Sequence, residues 1–222
     1  MIPLRDTQPS YSAPIVTGIL IVLNVVLFLF EVSLDDFSRN EFISTFGIVP
    51  ARFHYLTVFT SMFLHGGWMH LIGNMWFLWI YGDNVEDVLG KGKYILFYLA
   101  CGVAAGLVHV MLNSGSRVPT IGASGAIAGV MGAYMAKFPH SRILTLVPIF
   151  IFIQLIEIPA VLILAYWFIL QVFSGVGEIG HSNVSQGGVA WFAHIGGFVA
   201  GYLLVRVMGT NDRYRHRYDL HW

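Results

Sequence analysis

Charged side chains are scarce in this sequence. Asp, Glu, Lys and Arg make up 11% of the 222 residues, against 56% hydrophobic residues. Soluble domains carry roughly a quarter charged residues, so this chain has too few polar side chains to cover a water-soluble globule. The formal net charge is zero and no basic run precedes the C-terminal tail, which leaves nucleic-acid binding without electrostatic support. We therefore expect an integral membrane protein that contacts the lipid bilayer and binds no nucleic acid.

Cysteine is almost absent, and so is a secretory leader pattern. The single Cys101 excludes a disulfide within the chain. Ahead of the first apolar run, at residues 15–30, the only charged side chains are Arg5 and Asp6. Glu31 follows that run where a cleavage site would require small residues. We therefore expect the run to be a retained first span and not a removed signal peptide.

Long apolar runs, in contrast, are abundant. A spanning helix needs about 20 mostly apolar residues. On this basis the sequence predicts an all-α membrane protein, a bundle of six transmembrane helices at residues 14–34, 68–81, 94–112, 124–136, 158–173 and 189–208. Residues 143–157, which contain Pro148, are predicted to form an interfacial or re-entrant segment. The membrane domain would cover 14–208, between a short cytoplasmic tail at 1–13 and a basic cytoplasmic tail at 209–222.

The basic residues are distributed unevenly over the two ends of these predicted spans. Nine of the twelve Lys and Arg residues lie at the ends that the two chain termini share. By the positive-inside rule this bias predicts that both termini are cytoplasmic. The starts of spans two, four and six would then face the non-cytoplasmic side.

Three polar features lie near those starts, in segments where polar side chains are costly and mark functional sites. His70 and Asn74 are four residues apart and share one face of span two. Ser124 lies where a loop becomes the helix of span four, next to N–H groups that could stabilise an oxyanion. His194 lies early in span six. The shared depth of these features predicts one common site.

Small residues recur at helical spacing in spans four and six, at Gly125, Gly129, Gly132, Gly197 and Gly201. Such stripes allow helix backbones to approach closely within a membrane. Close packing of the two spans would bring Ser124 within reach of His194.

Each of these residues has a structural alternative when it is taken alone. A serine in a Gly/Ala-rich span is usually a packing residue, and an intramembrane His or Asn usually makes an interhelical hydrogen bond. His65 and His70 could bind a metal, but no H-E-x-x-H motif is present, so we expect no metal. A transporter or channel is the strongest non-enzyme class. The chain has no inverted halves, however, and its polar groups cluster at one side of the membrane.

Together the motifs resemble those of the rhomboid intramembrane serine proteases. The resemblance rests on Gly122-Ala123-Ser124-Gly125, Ala193-His194-x-x-Gly197-x-x-x-Gly201 and His65-x4-His70-x3-Asn74. It implies a serine endopeptidase without a cofactor, with Ser124 as the nucleophile and His194 as the general base. His70, Asn74 and the Ser124 backbone N–H would form the oxyanion hole. Residues with a structural role near the site would be His65, Gly122, Gly125, Gly197 and Gly201.

The resemblance also implies substrates, a location and moving parts. Substrates would be transmembrane proteins, and the site would open to the non-cytoplasmic side of a cell membrane; the oligomeric state stays open. Span five and residues 175–188 would move. The segment 81–94 is similar to the family's second-loop pattern, with Glu86 as its acidic residue. Taken alone, Glu86 is expected to cap or pair locally, with Lys91 or Lys93 as the partner.

Two positions depart from the family pattern, and one alternative function remains open. The chain has Leu56-Thr57 where many members have Trp-Arg, and Ala128 where many have an aromatic residue that stacks on the catalytic histidine. We expect Trp191 or Phe198 to replace that aromatic. The alternative is a catalytically inactive member that binds transmembrane clients.

Overall fold

A computed structural model describes residues 1–149, 152–179 and 190–209 of the chain. The elements, in chain order, are β1 (Ile2–Asp6), α1 (Ile15–Ser33), α2 (Asp36–Phe46), α3 (Thr57–Thr60), α4 (Trp68–Leu89), α5 (Lys91–Leu112), α6 (Ser124–Lys137), β2 (Arg142–Ile149), β3 (Phe152–Pro159), α7 (Ala160–Ile179) and α8 (Trp191–Val207). Short 3-10 turns at Pro50–Arg52 and Ser61–Phe63 flank α3. Most of the predicted basic tail, 209–222, lies outside the described residues.

The chain is an integral membrane protein by the character of its helices. Among the described residues, three helical segments are long and apolar enough to cross a membrane: Ile15–Ser33, Lys91–Leu112 and Ala160–Gly177. Each of the six predicted spans overlaps a helix. The other three helices that overlap predicted spans are too short or too polar by this measure: α6 and α8 have 14 and 17 residues, and α4 has polar residues near both ends, such as His70, Asn74 and Asp83.

Helix α6 is the central helix of the bundle, and every residue from 125 to 134 is buried. It touches α8 through glycine: a Cβ atom on Gly197 would collide with the carbonyl oxygen of Gly125, and one on Gly201 with that of Gly129. A Cβ atom on Gly125 would also lie 2.6 Å from the Cβ of Ala105 on α5. A helix surrounded by other helices has little contact with lipid, so its surface can consist of small residues that allow close packing.

A three-stranded antiparallel sheet, in the order β1-β2-β3, corrects the all-α prediction. The predicted interfacial or re-entrant segment at 143–157 instead forms strands β2 and β3, with Arg142 paired to Pro159 and Ile149 to Phe152. This stretch contains five Ile, two Phe, one Val and one Thr, so nine of its 15 residues favour strands. Pairing also satisfies backbone groups that an isolated segment would leave without partners. The N-terminal tail contributes the third strand, because β1 pairs with β2.

Glu86, near the end of α4, connects that helix to the start of α1. Its carboxylate accepts hydrogen bonds from the N–H groups of Val16 (3.0 Å) and Thr17 (2.8 Å) and from the Thr17 hydroxyl (2.9 Å). The first turn of α1 has no side-chain cap of its own. Glu86 therefore caps a distant helix, whereas the sequence suggested a local cap or a local ion pair.

Candidate active site

The site is built around a contact between Ser124 and His194, which are 70 positions apart in sequence. The Oγ atom of Ser124 lies 2.7 Å from Nε2 of His194. Ser124 is the first residue of α6, and His194 lies in the first turn of α8. Because the two helices cross on glycines, their starts approach closely enough for these short side chains to meet. The contact therefore brings together the predicted nucleophile and base.

The loop before Ser124 is fixed on both sides. Thr120 and Ile48 exchange backbone hydrogen bonds of 2.7 and 2.9 Å, and the Thr120 hydroxyl lies 2.8 Å from Nε2 of His109. Gly122 has a φ of +125°, a conformation that residues with a Cβ atom rarely adopt. A Cβ atom at that position would also lie 2.7 Å from Nε2 of His70. Gly122 is therefore required both by its backbone conformation and by the histidine ring beside it.

His70 and Asn74 lie on one face of α4, next to this loop. The N–H of Gly66 donates to Nδ1 of His70 at 3.4 Å. A neutral imidazole that accepts at Nδ1 carries its proton on Nε2, the atom that faces Gly122. The Nδ2 atom of Asn74 is buried and has no hydrogen-bond partner among the described residues. Both donor atoms lie next to Gly122, and both residues line the same cavity as Ser124.

His65 is fully buried and contributes its backbone more than its ring. Its N–H donates to the carboxylate of Glu31, with distances of 3.2 and 3.3 Å to the two oxygens. Neither ring nitrogen has a hydrogen-bond partner in the part of the chain that the structure describes. The ring packs edge-on against Phe28 and His70, with centroid separations of 6.5 and 5.2 Å. Glu31, for which the sequence suggested no role, thus fixes the backbone ahead of α4.

Helix α7 supplies two contacts to His194 that the sequence analysis missed. Nδ1 of His194 lies 2.6 Å from Oε1 of Gln171, and the Trp167 ring lies 5.7 Å from the imidazole at an angle of 34°. Of the two aromatic residues that were expected there, Trp191 meets the imidazole edge-on at 6.4 Å, and Phe198 packs against Phe168 and Trp167. The i, i+4 spacing of Trp167 and Gln171 was the available signal.

A cavity of about 660 Å³ opens beside these groups. Its polar lining includes His70, Asn74, Ser124 and His194. Apolar side chains from α4, α6 and α7, including Phe77, Ile127, Met131 and Trp167, form much of the remaining wall, and the loop before Ser124 completes it. A carbonyl group bound in this cavity would have the Ser124 hydroxyl and the N–H donors of His70 and Asn74 in the wall around it. This arrangement suits acyl transfer.

Comparisons with known proteins show which family the chain resembles. A family model described as "Rhomboid domain" matches residues 52–211. Rhomboid protease GluP of Bacillus subtilis (strain 168) is 29% identical over 201 residues, which cover 88% of this chain and 35% of that protein. The human Presenilin-associated rhomboid-like protein, mitochondrial, is 33% identical over 95 residues, or 41% of this chain and 25% of that protein. Rhomboid protein 1, mitochondrial, of Saccharomyces cerevisiae is 32% identical over 96 residues, 41% of this chain and 28% of that protein. The chain thus matches only a quarter to about a third of the length of these relatives.

Proposed function

The chain belongs to the rhomboid family, and from that premise we propose that it is an intramembrane serine endopeptidase that cleaves transmembrane segments of membrane proteins. The observation that carries this proposal is the 2.7 Å contact between Ser124 Oγ and His194 Nε2. Support also comes from the unpartnered Nδ2 donor of Asn74 beside the serine. A serine and histidine that only packed two helices together would need no such donor.

In the proposed reaction the Ser124 hydroxyl donates its proton to Nε2 of His194 while Oγ attacks the carbonyl carbon of the scissile bond. The carbonyl oxygen becomes an oxyanion, which accepts hydrogen bonds from His70 Nε2, Asn74 Nδ2 and the Ser124 N–H. The tetrahedral intermediate collapses, the C–N bond breaks, and protonated His194 gives its proton to the leaving amine. Water then attacks the acyl-enzyme with His194 again as the base, which releases the acid product and restores the Ser124 hydroxyl.

The apolar wall between α4 and α7 supports transmembrane segments as substrates. A second cavity, of about 200 Å³, shares Phe77, Met131 and Trp167 with the first. The two cavities are therefore adjacent, and their mostly apolar linings suit a transmembrane segment better than a polar peptide. Because a helical peptide bond is shielded, the substrate must unwind locally. Glycine and other weak helix formers near the cleaved bond lower the free energy of that step.

The proposed membrane topology follows from the parallel arrangement of three helices. Helices α4, α6 and α8 all begin at the site, because His70, Ser124 and His194 meet there. With the Lys and Arg bias, this arrangement supports six spans, cytoplasmic termini and a site that opens to the non-cytoplasmic side. Placement in a cell membrane stays a prediction.

The test is active-site labelling of the detergent-solubilised full chain with a fluorophosphonate probe. We expect the wild type to be labelled and Ser124→Ala to lose the label, while Ser141→Ala, which changes another buried serine, retains it. In liposomes, the wild type and Ser141→Ala should cleave a transmembrane reporter, and Ser124→Ala should not. Labelling that survives Ser124→Ala would contradict the assignment. A wild type that neither labels nor cleaves would favour the alternative, an inactive member that binds transmembrane clients.

A further inference from the structure

We propose that Gln171 on α7 is a positioning residue for His194, which fixes the tautomer and the orientation of the imidazole. Its effect on catalysis rests on the function proposed above. The contact itself is a short one, 2.6 Å between Gln171 Oε1 and His194 Nδ1, and both side chains are more than nine-tenths buried. Through this contact α7 takes part in the site, in addition to α4, α6 and α8.

The tautomer of His194 follows from its two neighbours. A general base must accept the Ser124 proton at Nε2, so the neutral imidazole has to carry its own proton on Nδ1. The carbonyl oxygen of an amide is an acceptor, and Oε1 of Gln171 is placed to receive that proton in a hydrogen bond. Ser124, His194 and Gln171 then form one directed chain in which each group donates to the next. An amide does this without adding a buried negative charge.

Three residues on one face of α7 support the same conclusion. Trp167, Gln171 and Gly175 follow one another at intervals of four, so they line one side of the helix. Trp167 lies against the imidazole ring, and Gln171 meets Nδ1. At Gly175 a Cβ atom would lie 3.3 Å from atoms of both Trp191 and Phe192 in the first turn of α8. The glycine therefore permits the close helix approach that the hydrogen bond needs.

A merely structural role for Gln171 is the competing explanation. A buried amide is expensive in an apolar environment unless it finds a partner, and an apolar side chain at this position would avoid that penalty. What a glutamine adds is an acceptor aimed at the base. Both contacts also come from one helix, so a displacement of α7 from α8 would remove them together. The alignment of the base therefore depends on the position of α7.

The experiment compares two substitutions in the full-length protein. Gln171→Met keeps the length of the side chain but removes the acceptor, and Gln171→Glu keeps an acceptor oxygen and adds charge. We expect Gln171→Met to lower kcat about tenfold or more with little change in KM, which is the lower end of the 10–100-fold loss caused when a metal-bound histidine loses its outer hydrogen-bond partner. Gln8→Met, which changes a buried glutamine that bonds Ser141 away from the site, is the matched control.

The pH dependence of labelling separates positioning from stability. A carboxylate at position 171 favours the protonated imidazole, so in Gln171→Glu the acid-side loss of labelling should begin at higher pH than in the wild type. In Gln171→Met, which lacks the acceptor, the acid-side loss of labelling should begin at lower pH than in the wild type. His70 and His109 are the other titratable side chains that act on His194, and both substitutions leave them unchanged. Identical profiles in all three proteins would overturn the proposal.

A spectroscopic measurement decides the matter even if the chain proves inactive or Gln171→Met does not fold. The ¹⁵N chemical shifts of the His194 ring, assigned by their loss in His194→Ala, report which nitrogen carries the proton. We expect Nδ1 to be protonated in the neutral wild type and in Gln171→Glu, and a mixture of tautomers in Gln171→Met. A proton on Nε2 in the wild type would overturn the proposal. If the expected tautomer is observed but Ser124-dependent labelling is not, only the proposed function is contradicted.

Discussion

Gly197 of α8 lies directly on the carbonyl oxygen of Gly125 in α6, with no room between them for a Cβ atom. Gly125 follows Ser124 in the chain, and Gly197 lies one helical turn after His194. The closest approach of the two helices is therefore adjacent to the 2.7 Å contact between serine and histidine. The same glycines that pack the bundle also set the distance between the proposed nucleophile and base.

Gly197→Ala should therefore reduce both stability and activity. The added methyl group meets backbone, which cannot rotate away, so the helices must separate. Overpacking of this kind costs about 1–3 kcal/mol of unfolding free energy. Thermal unfolding in detergent and fluorophosphonate labelling would measure the two effects.

The control for this substitution is Gly18→Ala in α1, where a Cβ atom would meet nothing within 4 Å. It should leave labelling unchanged and keep or raise the thermal midpoint, since alanine is the better helix former. Equal behaviour of the two alanine variants would contradict the packing role of Gly197.

The periodicity of polar and small residues was enough to anticipate much of the candidate site. His70, Asn74, Ser124 and His194 stand out because polar groups are rare in apolar helices, and helical spacing assigns them to faces. The glycine stripes pointed to the contact of α6 with α8. These signals are local, since each depends on residues within two or three turns of one helix.

The spacing of residues along single helices could not predict contacts between distant segments. Gln171 and Trp167 meet His194 only because α7 packs beside α8, and nothing in the local pattern of α7 states its neighbour. Glu31 receives the His65 N–H for the same kind of reason. The strands β2 and β3 were missed because an apolar run interrupted by proline fits both a re-entrant segment and a hairpin, and only pairing decides between them.

The buried donor of Asn74 leads to a second prediction. Asn74→Leu keeps a similar volume but removes Nδ2, which has no partner among the described residues and is therefore free to bind an oxyanion. Loss of one such donor lowers kcat by about 10²–10³ in a serine protease, and KM should change little. Steady-state cleavage of a transmembrane reporter separates the two constants.

Asn24→Ala is a suitable control for Asn74→Leu. Asn24 is also buried, but its Nδ2 donates to the Leu20 carbonyl within α1. Its replacement should affect unfolding and leave kcat near the wild-type value. A normal kcat in Asn74→Leu would remove Asn74 from the proposed oxyanion hole.

A third prediction concerns the cap that α4 provides for α1. Glu86→Ala removes the acceptor of three hydrogen bonds and leaves the N–H groups of Val16 and Thr17 without it. An unsatisfied buried donor costs about 1–3 kcal/mol, so the thermal midpoint in detergent should fall clearly. Glu41→Ala, on the short helix α2, is the comparison and should have little effect. A midpoint unchanged by Glu86→Ala would show that the cap does not stabilise the bundle.

The fourth prediction is a pH dependence of stability that comes from Asp6 in β1. Burial raises the pKa of Asp6 from its usual 3.8 to about 6, the nearby Asp83 charge adds to the rise, and the hydrogen bond from Tyr134 (2.6 Å) opposes it. A carboxyl group whose pKa is higher in the folded state stabilises the fold below the unfolded-state pKa. That contribution is lost as pH rises through the folded-state pKa. Asp6→Asn stays neutral and can still accept from Tyr134. Between about pH 4 and pH 7, the thermal midpoint of Asp6→Asn should therefore rise to a few degrees above that of the wild type.

Asp35→Asn tests the sign of that effect. Asp35 caps α2, and hydrogen bonds from Ser38 lower the pKa of its exposed carboxyl group. Its contribution is present above the unfolded-state pKa and is lost as pH falls, which is the opposite direction. Asparagine keeps the cap but lacks the charge, so Asp35→Asn should match the wild type at low pH and be the less stable of the two at every pH above the unfolded-state pKa of about 4. Thermal melts of the three proteins over the same pH range give both comparisons, and parallel curves for wild type and Asp6→Asn would show that Asp6 titrates normally in the fold.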